Sequence, residues 1–345
     1  MNEVARLPQR ISEIQAIQTI RPDSPVWQTL RGLEELLNSG KERSNYMPVF
    51  SIARTAALVL VFATFGYSED SAVKPYNQGV KSCQDCHKNV CDDWEESKHY
   101  TSYRKVKKDI RAGRYIGGKT DKKGQKDCGN CHFTVVQASP DARARAKSGP
   151  SCESCHGPSS VWEDMHYDYG GENIKKETET PEHKAKRIAE SKAAGLIWST
   201  TMKYDAATNC IKCHGMATPD VKVAALEKMV SGGHPVNTDF DIMGFYQDKI
   251  ARKRWPARSD AELARVFVAG QAAKLVSATG AIKEATQEDY KAAQMKRAAN
   301  AKAALDALKN IPEVAALLSS PSEDNALKLM AAVKKMDLSG KVKLR

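Results

Sequence analysis

Cys83-Gln84-Asp85-Cys86-His87 is the first of four stretches in this chain that share one pattern, two cysteines separated by two residues and followed at once by a histidine. We number the four stretches units 1 to 4 in chain order. Together they use all but one of the nine cysteines in the 345-residue chain. Units 2, 3 and 4 read Cys128-Gly129-Asn130-Cys131-His132, Cys152-Glu153-Ser154-Cys155-His156 and Cys210-Ile211-Lys212-Cys213-His214.

This pattern is the attachment signature of a c-type haem. Two thiols one helical turn apart bond covalently to one edge of the porphyrin, and the adjacent histidine ligates the iron from the proximal side. The fourfold repetition therefore predicts four covalently bound haem c groups. The thioether-forming residues would be Cys83, Cys86, Cys128, Cys131, Cys152, Cys155, Cys210 and Cys213, and the proximal iron ligands His87, His132, His156 and His214.

Two other uses of the cysteines compete with haem attachment. Cys128, Cys131, Cys152 and Cys155 have the spacing of a zinc ribbon, and adjacent cysteine pairs can form disulfides in an oxidising compartment. Neither explains why a histidine follows every pair, so haem attachment is favoured over both. The ninth cysteine, Cys91, is left over, and its commonest role is that of a buried, inert thiol. The alternative for Cys91 is a free or intermolecularly paired thiol.

Four histidines lie outside the units, namely His99, His166, His183 and His234, and four haems offer as many distal positions. A histidine on each face gives a low-spin, six-coordinate iron that changes redox state with little rearrangement, which suits electron transfer. All four are therefore candidate metal ligands. His183 lies in a charged stretch typical of a solvated surface, so a non-ligating role stays open for it. The short chain between a unit and the next histidine indicates ligation of a neighbouring haem.

Several of these stretches resemble the tetrahaem cytochrome c-554 family of ammonia-oxidising bacteria. Lys81-Ser82 before unit 1, with Trp94-Glu95-Glu96-Ser97-Lys98-His99 after it, is similar to the family's first haem segment. Asp127 followed by unit 2 is similar to the second segment. Gly149-Pro150-Ser151, unit 3 and Gly157-Pro158 are similar to the third, and the match covers roughly residues 80–215.

The resemblance implies which histidine serves which haem. In the family the second haem, here on His132, is five-coordinate and high-spin. This chain departs from the family in having His183, which could fill that position. Three distal ligands follow from the resemblance: His166 for the haem on His87, His99 for the haem on His156, and His234 for the haem on His214.

Composition and pattern predict a mainly α-helical multihaem cytochrome with little β structure. Hydrophobic residues make up 41% of the chain and the mean hydropathy is −0.53, so porphyrins are expected to form the core of a tetrahaem domain at residues 69–236. Residues 237–345 contain neither cysteine nor histidine and are rich in alanine, lysine and leucine, which predicts a C-terminal helical region. Ser259, Thr286 and Ser322 are the predicted N-caps of its helices.

An apolar run at residues 55–65 has the length of a signal-peptide core. Met47 precedes this run and small residues precede Glu69, so we predict a signal peptide at residues 47–68, with residues 1–46 as a start-site error. The alternative is a buried helix after a real N-terminal extension. No stretch approaches the ~20 apolar residues that a membrane-spanning helix needs. The predicted location is therefore periplasmic, with an extracellular location as the alternative.

These features favour a periplasmic electron carrier over other classes of protein. A net charge of +11 suits nucleic acid in general, but in an exported protein it better suits haem propionates or an acidic redox partner. The partners implied are a donor and an acceptor, such as an acidic cytochrome or a hydroxylamine-oxidoreductase-like enzyme. The first alternative is a haem enzyme that oxidises or reduces a small nitrogen compound at an open haem on His132. The second is a subunit of an extracellular cytochrome filament.

Overall fold

The computed structural model describes residues 74–111, 122–198, 201–247 and 258–344. The predicted start-site extension and signal peptide lie outside these ranges. Residues 73–345 cluster as one compact unit, and its described part is mainly α-helical, so the predicted fold class is confirmed. Within the same ranges no helix is both long enough and apolar enough to cross a membrane.

Most helices of the first two thirds of the chain are short, and the proximal histidines lie where helices end or bend. His132, His156 and His214 are each the last residue of a helix, and the helix that contains unit 1 is kinked at His87. The elements are α1 (Val80–Glu95), α2 (Lys98–Thr101), α3 (Tyr103–Arg111), α4 (Lys122–His132), β1 (Thr134–Val136), β2 (Arg145–Ser148), α5 (Cys152–His156), α6 (Glu163–Tyr167), α7 (Pro181–Ala193), α8 (Lys203–His214), α9 (Val223–Ser231) and α10 (Met243–Gln247).

One antiparallel hairpin, β1 with β2, carries the chain from unit 2 to unit 3. Its strands are too short to show an alternating hydrophobic pattern, which is why the sequence does not reveal them. The Thr134 hydroxyl donates to the Gly149 carbonyl (3.1 Å) and accepts from the Ser151 amide (2.9 Å). These two bonds fix the start of unit 3 against the end of unit 2.

The C-terminal helices surround a conventional apolar core. Ser259 and Ser322 are N-caps as predicted, each accepting from a backbone amide three residues on. The prediction for Thr286 is wrong, because the N-cap is Gln287 and the buried Glu227 carboxylate binds the backbone amides of both residues. The helices are α11 (Asp260–Glu284), α12 (Glu288–Asp306), α13 (Pro312–Ser319) and α14 (Glu323–Val333).

The hydrophobic core of the C-terminal helices includes part of the haem-unit region, the part of the chain that contains units 1 to 4. Tyr204, Ala207 and Ile211 of α8, the helix of unit 4, are buried in one cluster with side chains of α11 to α14. The chain therefore packs continuously across residue 236, the predicted domain border. The buried side chains of α8 therefore attach unit 4 to the C-terminal helices. Cys210, Cys213 and His214 lie at the C-terminal end of the same helix.

We expect Leu305→Ala to lower the free energy of unfolding by about 2–5 kcal/mol, because Leu305 is fully buried in this cluster and its loss leaves a cavity. Leu327→Ala is the matched control, since Leu327 is 47% exposed and should change the free energy by less than about 0.5 kcal/mol. Denaturant unfolding followed by circular dichroism measures both. Equal effects of the two variants would contradict the assignment of the core.

Candidate haem-binding sites

All eight histidines lie in the described part of the structure, and six of them form facing pairs. Each pair joins the proximal histidine of one unit to a histidine outside the units. The ring centres are 6.3 Å apart for His87 and His166, 5.9 Å apart for His99 and His214, and 5.9 Å apart for His132 and His234.

These separations fit two imidazoles on opposite faces of one haem iron. A metal–nitrogen bond is about 2 Å long and the bonding nitrogen lies about 1.1 Å from the ring centre, so the two ring centres are about 6 Å apart. Three pairs at this spacing, each with a unit's cysteines beside it, have the donor set that haem c requires.

The first pair agrees with the ligation that the resemblance implies. His166 follows unit 3 in the chain, yet its ring faces His87 of unit 1. The His166 ring also packs edge-on against Trp162, whose buried indole N–H has no hydrogen-bond partner among the described residues. A buried donor without an acceptor is costly, and a bound cofactor with acceptor groups would satisfy it.

The second pair corrects the implied partner of His99, which faces His214 of unit 4 rather than His156 of unit 3. The two units are neighbours, because the Asn209 amide of α8 donates to the carbonyls of Ser154 (2.7 Å) and Cys155 (3.1 Å). A histidine at this junction could face either unit, and its spacing in the sequence does not distinguish them.

The third pair corrects the implied partner of His234, which faces His132 and not His214. Both rings line an open cleft whose empty space is about 920 Å³ when the adjoining solvent is included. The thiols of unit 2 lie in the same cleft, and its walls are largely apolar. The cleft-lining residues are Lys105, Val106, Asp109, Ile110, Asp127, Cys128, Cys131, His132, Met216, Leu226, Met229, His234 and Pro235.

Hydrogen bonds at Nδ1 prepare several histidines for ligation through Nε2. The Nδ1 atom of His156 bonds the Ile197 carbonyl (3.0 Å), that of His234 bonds the Pro235 carbonyl (2.9 Å), and that of His166 bonds the Glu163 carbonyl. A ligating histidine commonly donates its other ring N–H in this way. Burial also lowers the pKa of His132 to about 4, which keeps it in the neutral form that binds metal.

His183 lies in a fixed network of side chains rather than on a freely solvated surface. Its Nδ1 bonds the Glu179 carboxylate (2.9 Å), which Arg187 also binds through two nitrogens at 2.7 and 2.6 Å. The Arg187 guanidinium holds the pKa of Glu179 at about 2 and also donates to the His166 carbonyl. Among the eight histidine rings, none is paired with His183 or with His156, so the structure does not bring His183 to the haem position on His132.

The thiols of different units contact one another. Cys83 of unit 1 interacts with Cys152 of unit 3, and Cys131 of unit 2 interacts with Cys213 of unit 4. Each contact joins one cysteine of the candidate zinc ribbon to a cysteine outside it, and among the described residues no group of three or more His, Cys, Asp or Glu side chains could hold a metal ion; all nine thiols are free. Cys91 is buried against Cys152, and burial raises its pKa, as suits an inert thiol.

Sequence reasoning missed Glu153, which joins units 1 and 3. Its side chain is 3% exposed and accepts from the amides of Gln78 (2.7 Å), Gly79 (2.7 Å) and Ser159 (3.1 Å). Two of these amides, those of Gln78 and Gly79, directly precede α1, so Glu153 fixes the backbone that enters the helix of unit 1. A carboxylate at one of the two positions between the cysteines of unit 3 was the only signal.

Replacing a facing histidine should convert one ferric haem from low spin to high spin, because the iron loses its sixth ligand. We expect this for His166→Ala, His99→Ala and His234→Ala. His183→Ala is the matched control and should leave the number of low-spin irons unchanged. Electron paramagnetic resonance of the oxidised protein counts both species. A new high-spin signal in His183→Ala, with none in His234→Ala, would contradict the pairing.

Gly149→Ala should disturb the position of His99, since a Cβ at residue 149 would lie 1.9 Å from the His99 carbonyl oxygen. We expect a fraction of high-spin iron and a lower unfolding temperature. Gly129→Ala, inside unit 2, is the control, because its Cβ would only touch the Phe133 ring at 3.7 Å. Identical spectra for Gly149→Ala and the unmodified protein would show that this contact does not position His99.

The comparisons with known proteins agree with the haem-attachment motifs of units 1 to 3. Residues 82–157 match the family described as Cytochrome c554 and c-prime. Cytochrome c-554 of Nitrosomonas europaea is 27% identical over 117 residues, which covers 30% of this chain and 48% of that protein. The chain thus aligns with about half the length of that relative, and no solved structure matches. The resemblance predicted from the motifs is confirmed, since residues 82–157 are similar to the cytochrome c-554 family.

Proposed function

We propose that this chain is a periplasmic tetrahaem c-type cytochrome that transfers electrons between redox proteins through closely packed, mostly bis-histidine haems. The observation that carries the proposal is the set of facing histidine pairs, with ring centres 5.9–6.3 Å apart. Haem c, when bound, supplies a one-electron centre of adjustable potential. The cysteines of the units would hold the porphyrin edge, and the paired histidines would ligate the iron.

The contacts between units support a continuous path for electrons. Unit 1 touches unit 3 through Cys83 and Cys152, and unit 3 touches unit 4 through the bonds of Asn209. Unit 4 touches unit 2 through Cys213 and Cys131. Haems attached to neighbouring cysteines lie close together, so we infer the spatial order 1–3–4–2, which differs from the order in the sequence.

The proposal also includes location and partners. The apolar segment at residues 55–65 supports export, and haem attachment by thiols suits the periplasm. A chain with a net charge of +11 would dock an acidic donor or acceptor, such as an acidic cytochrome or a hydroxylamine-oxidoreductase-like enzyme. The division into a tetrahaem part at residues 69–236 and a C-terminal helical region at residues 237–345 is retained as a functional proposal, although the two share a core.

Chemistry on a small nitrogen compound is a second candidate function. On the sequence alone, an open haem on His132 is an alternative, but His234 faces that residue and would occupy the sixth position. His156, which bonds the Ile197 carbonyl, is the proximal residue left over from the three pairs. If an open haem exists, we therefore expect it on unit 3.

Purified exported protein tests the proposal directly. Mass spectrometry should show a chain that begins near Glu69 and carries four haems, and a redox titration should show four reversible one-electron steps. Nitric oxide should shift the spectrum of at most one haem, while sedimentation distinguishes a discrete particle from a filament. A colourless protein, or one that holds zinc at the unit thiols, would overturn the proposal.

A further inference from the structure

Three side chains of α12 contact the backbone that follows unit 4. The Tyr290 hydroxyl donates to the Met216 carbonyl (2.7 Å), and the Gln294 amide donates to the Gly215 carbonyl (3.1 Å). The Arg297 guanidinium packs on Gly215, where a Cβ would lie 2.1 Å from Nη2. Residues 290, 294 and 297 lie on one face of the helix, so the C-terminal region presents one continuous surface to the end of α8.

Arg297 is a buried cation with neutral hydrogen-bond partners. Its side chain is 1% exposed, and it donates to the Gln294 carbonyl oxygen and to the Ser277 hydroxyl (3.5 Å). Among the residues that the structure describes, no carboxylate forms an ion pair with it. Burial lowers the pKa of Arg297 to about 10, so it stays charged at neutral pH.

A buried charge is expensive unless something nearby compensates for it. The guanidinium lies at the C-terminal end of α8, where backbone carbonyls carry partial negative charge. His214, the proximal ligand of unit 4, is the last residue of that helix and directly precedes Gly215. The positive charge of Arg297 is therefore fixed one residue from an iron ligand.

We propose that Arg297 raises the reduction potential of the haem on unit 4 and is a positioning residue for electron transfer through that haem. Reduction removes one positive charge from the iron, so a nearby fixed cation favours the reduced form. A unit charge on the order of 10 Å away, at an effective dielectric constant of about 20, shifts the ratio of reduced to oxidised haem by about tenfold. The inference rests on the proposed function, because it requires a haem on unit 4.

The same contacts assign a role to the C-terminal helical region. It forms part of the surroundings of one particular haem and supplies a buried positive charge next to the end of α8. In the inferred order 1–3–4–2, unit 4 lies inside the path, where a raised potential would hold an electron between the two neighbouring haems.

Redox titration of the haem-loaded protein, followed by visible and electron paramagnetic resonance spectra, tests the inference. Arg297→Gln should lower one of the four midpoint potentials. At a fixed applied potential, the ratio of reduced to oxidised haem at that site should then fall about tenfold. Arg297→Lys should keep this midpoint potential close to that of the unmodified protein, because lysine keeps the positive charge. Tyr290→Phe is the matched control: it removes a contact of α12 with the same backbone but no charge, and should leave all four potentials unchanged.

A second variant keeps the test decisive if Arg297→Gln fails to fold. Ser277→Asp places a carboxylate beside the guanidinium and should lower the same potential while Arg297 remains. His99→Ala, which removes the distal ligand of unit 4, identifies the affected haem by its spectrum. Four unchanged potentials in Arg297→Gln or Ser277→Asp, or an equal shift in Tyr290→Phe, would overturn the inference. A parent protein without haems would instead overturn the proposed function.

Discussion

The proposed haem sites depend on one geometric constraint, a pair of imidazole rings whose centres are held about 6 Å apart, which is the separation of two histidines that ligate one iron from opposite sides. The two rings of a pair come from distant parts of the chain, as with His87 and His166 or His99 and His214. An iron bonded to both rings would therefore join parts of the chain that lie far apart in the sequence. Each haem would act as a crosslink, and the backbone carbonyls at His156, His166 and His234 would set the orientation of those crosslinks.

The distribution of buried side chains agrees with that view. Among the described side chains between residues 74 and 198, the buried apolar residues are Cys91, Trp162 and Leu196, far fewer than a conventional core contains. The C-terminal helices, in contrast, bury many leucine, valine and alanine side chains in one cluster. Thin apolar composition is therefore a property of the haem-binding part, where porphyrins would supply the missing surface. The C-terminal helices form a core of side chains alone and extend it to α8.

The sequence predicted the chemistry of the site better than its connections. Repetition of a covalent signature predicts the thiols and proximal histidines, because their spacing is dictated by the porphyrin edge. Capping residues such as Ser259 and Ser322 were found because an N-cap is local, whereas Thr286 was mistaken since Glu227, 59 residues away, binds it. The partners of His99 and His234 depend on which units touch, and no local pattern encodes this. Glu153 and Arg297 were missed for the same reason: their roles follow from burial and from contacts with distant backbone.

Near-infrared magnetic circular dichroism of the oxidised, haem-loaded protein tests the central claim most directly, because the charge-transfer band of low-spin ferric haem reports the identity of its two axial ligands. The facing pairs require at least three irons with two histidine ligands each. A spectrum with that intensity and energy would support the crosslinked arrangement. Fewer than three such irons, or a band at the energy of histidine–methionine ligation, would contradict it.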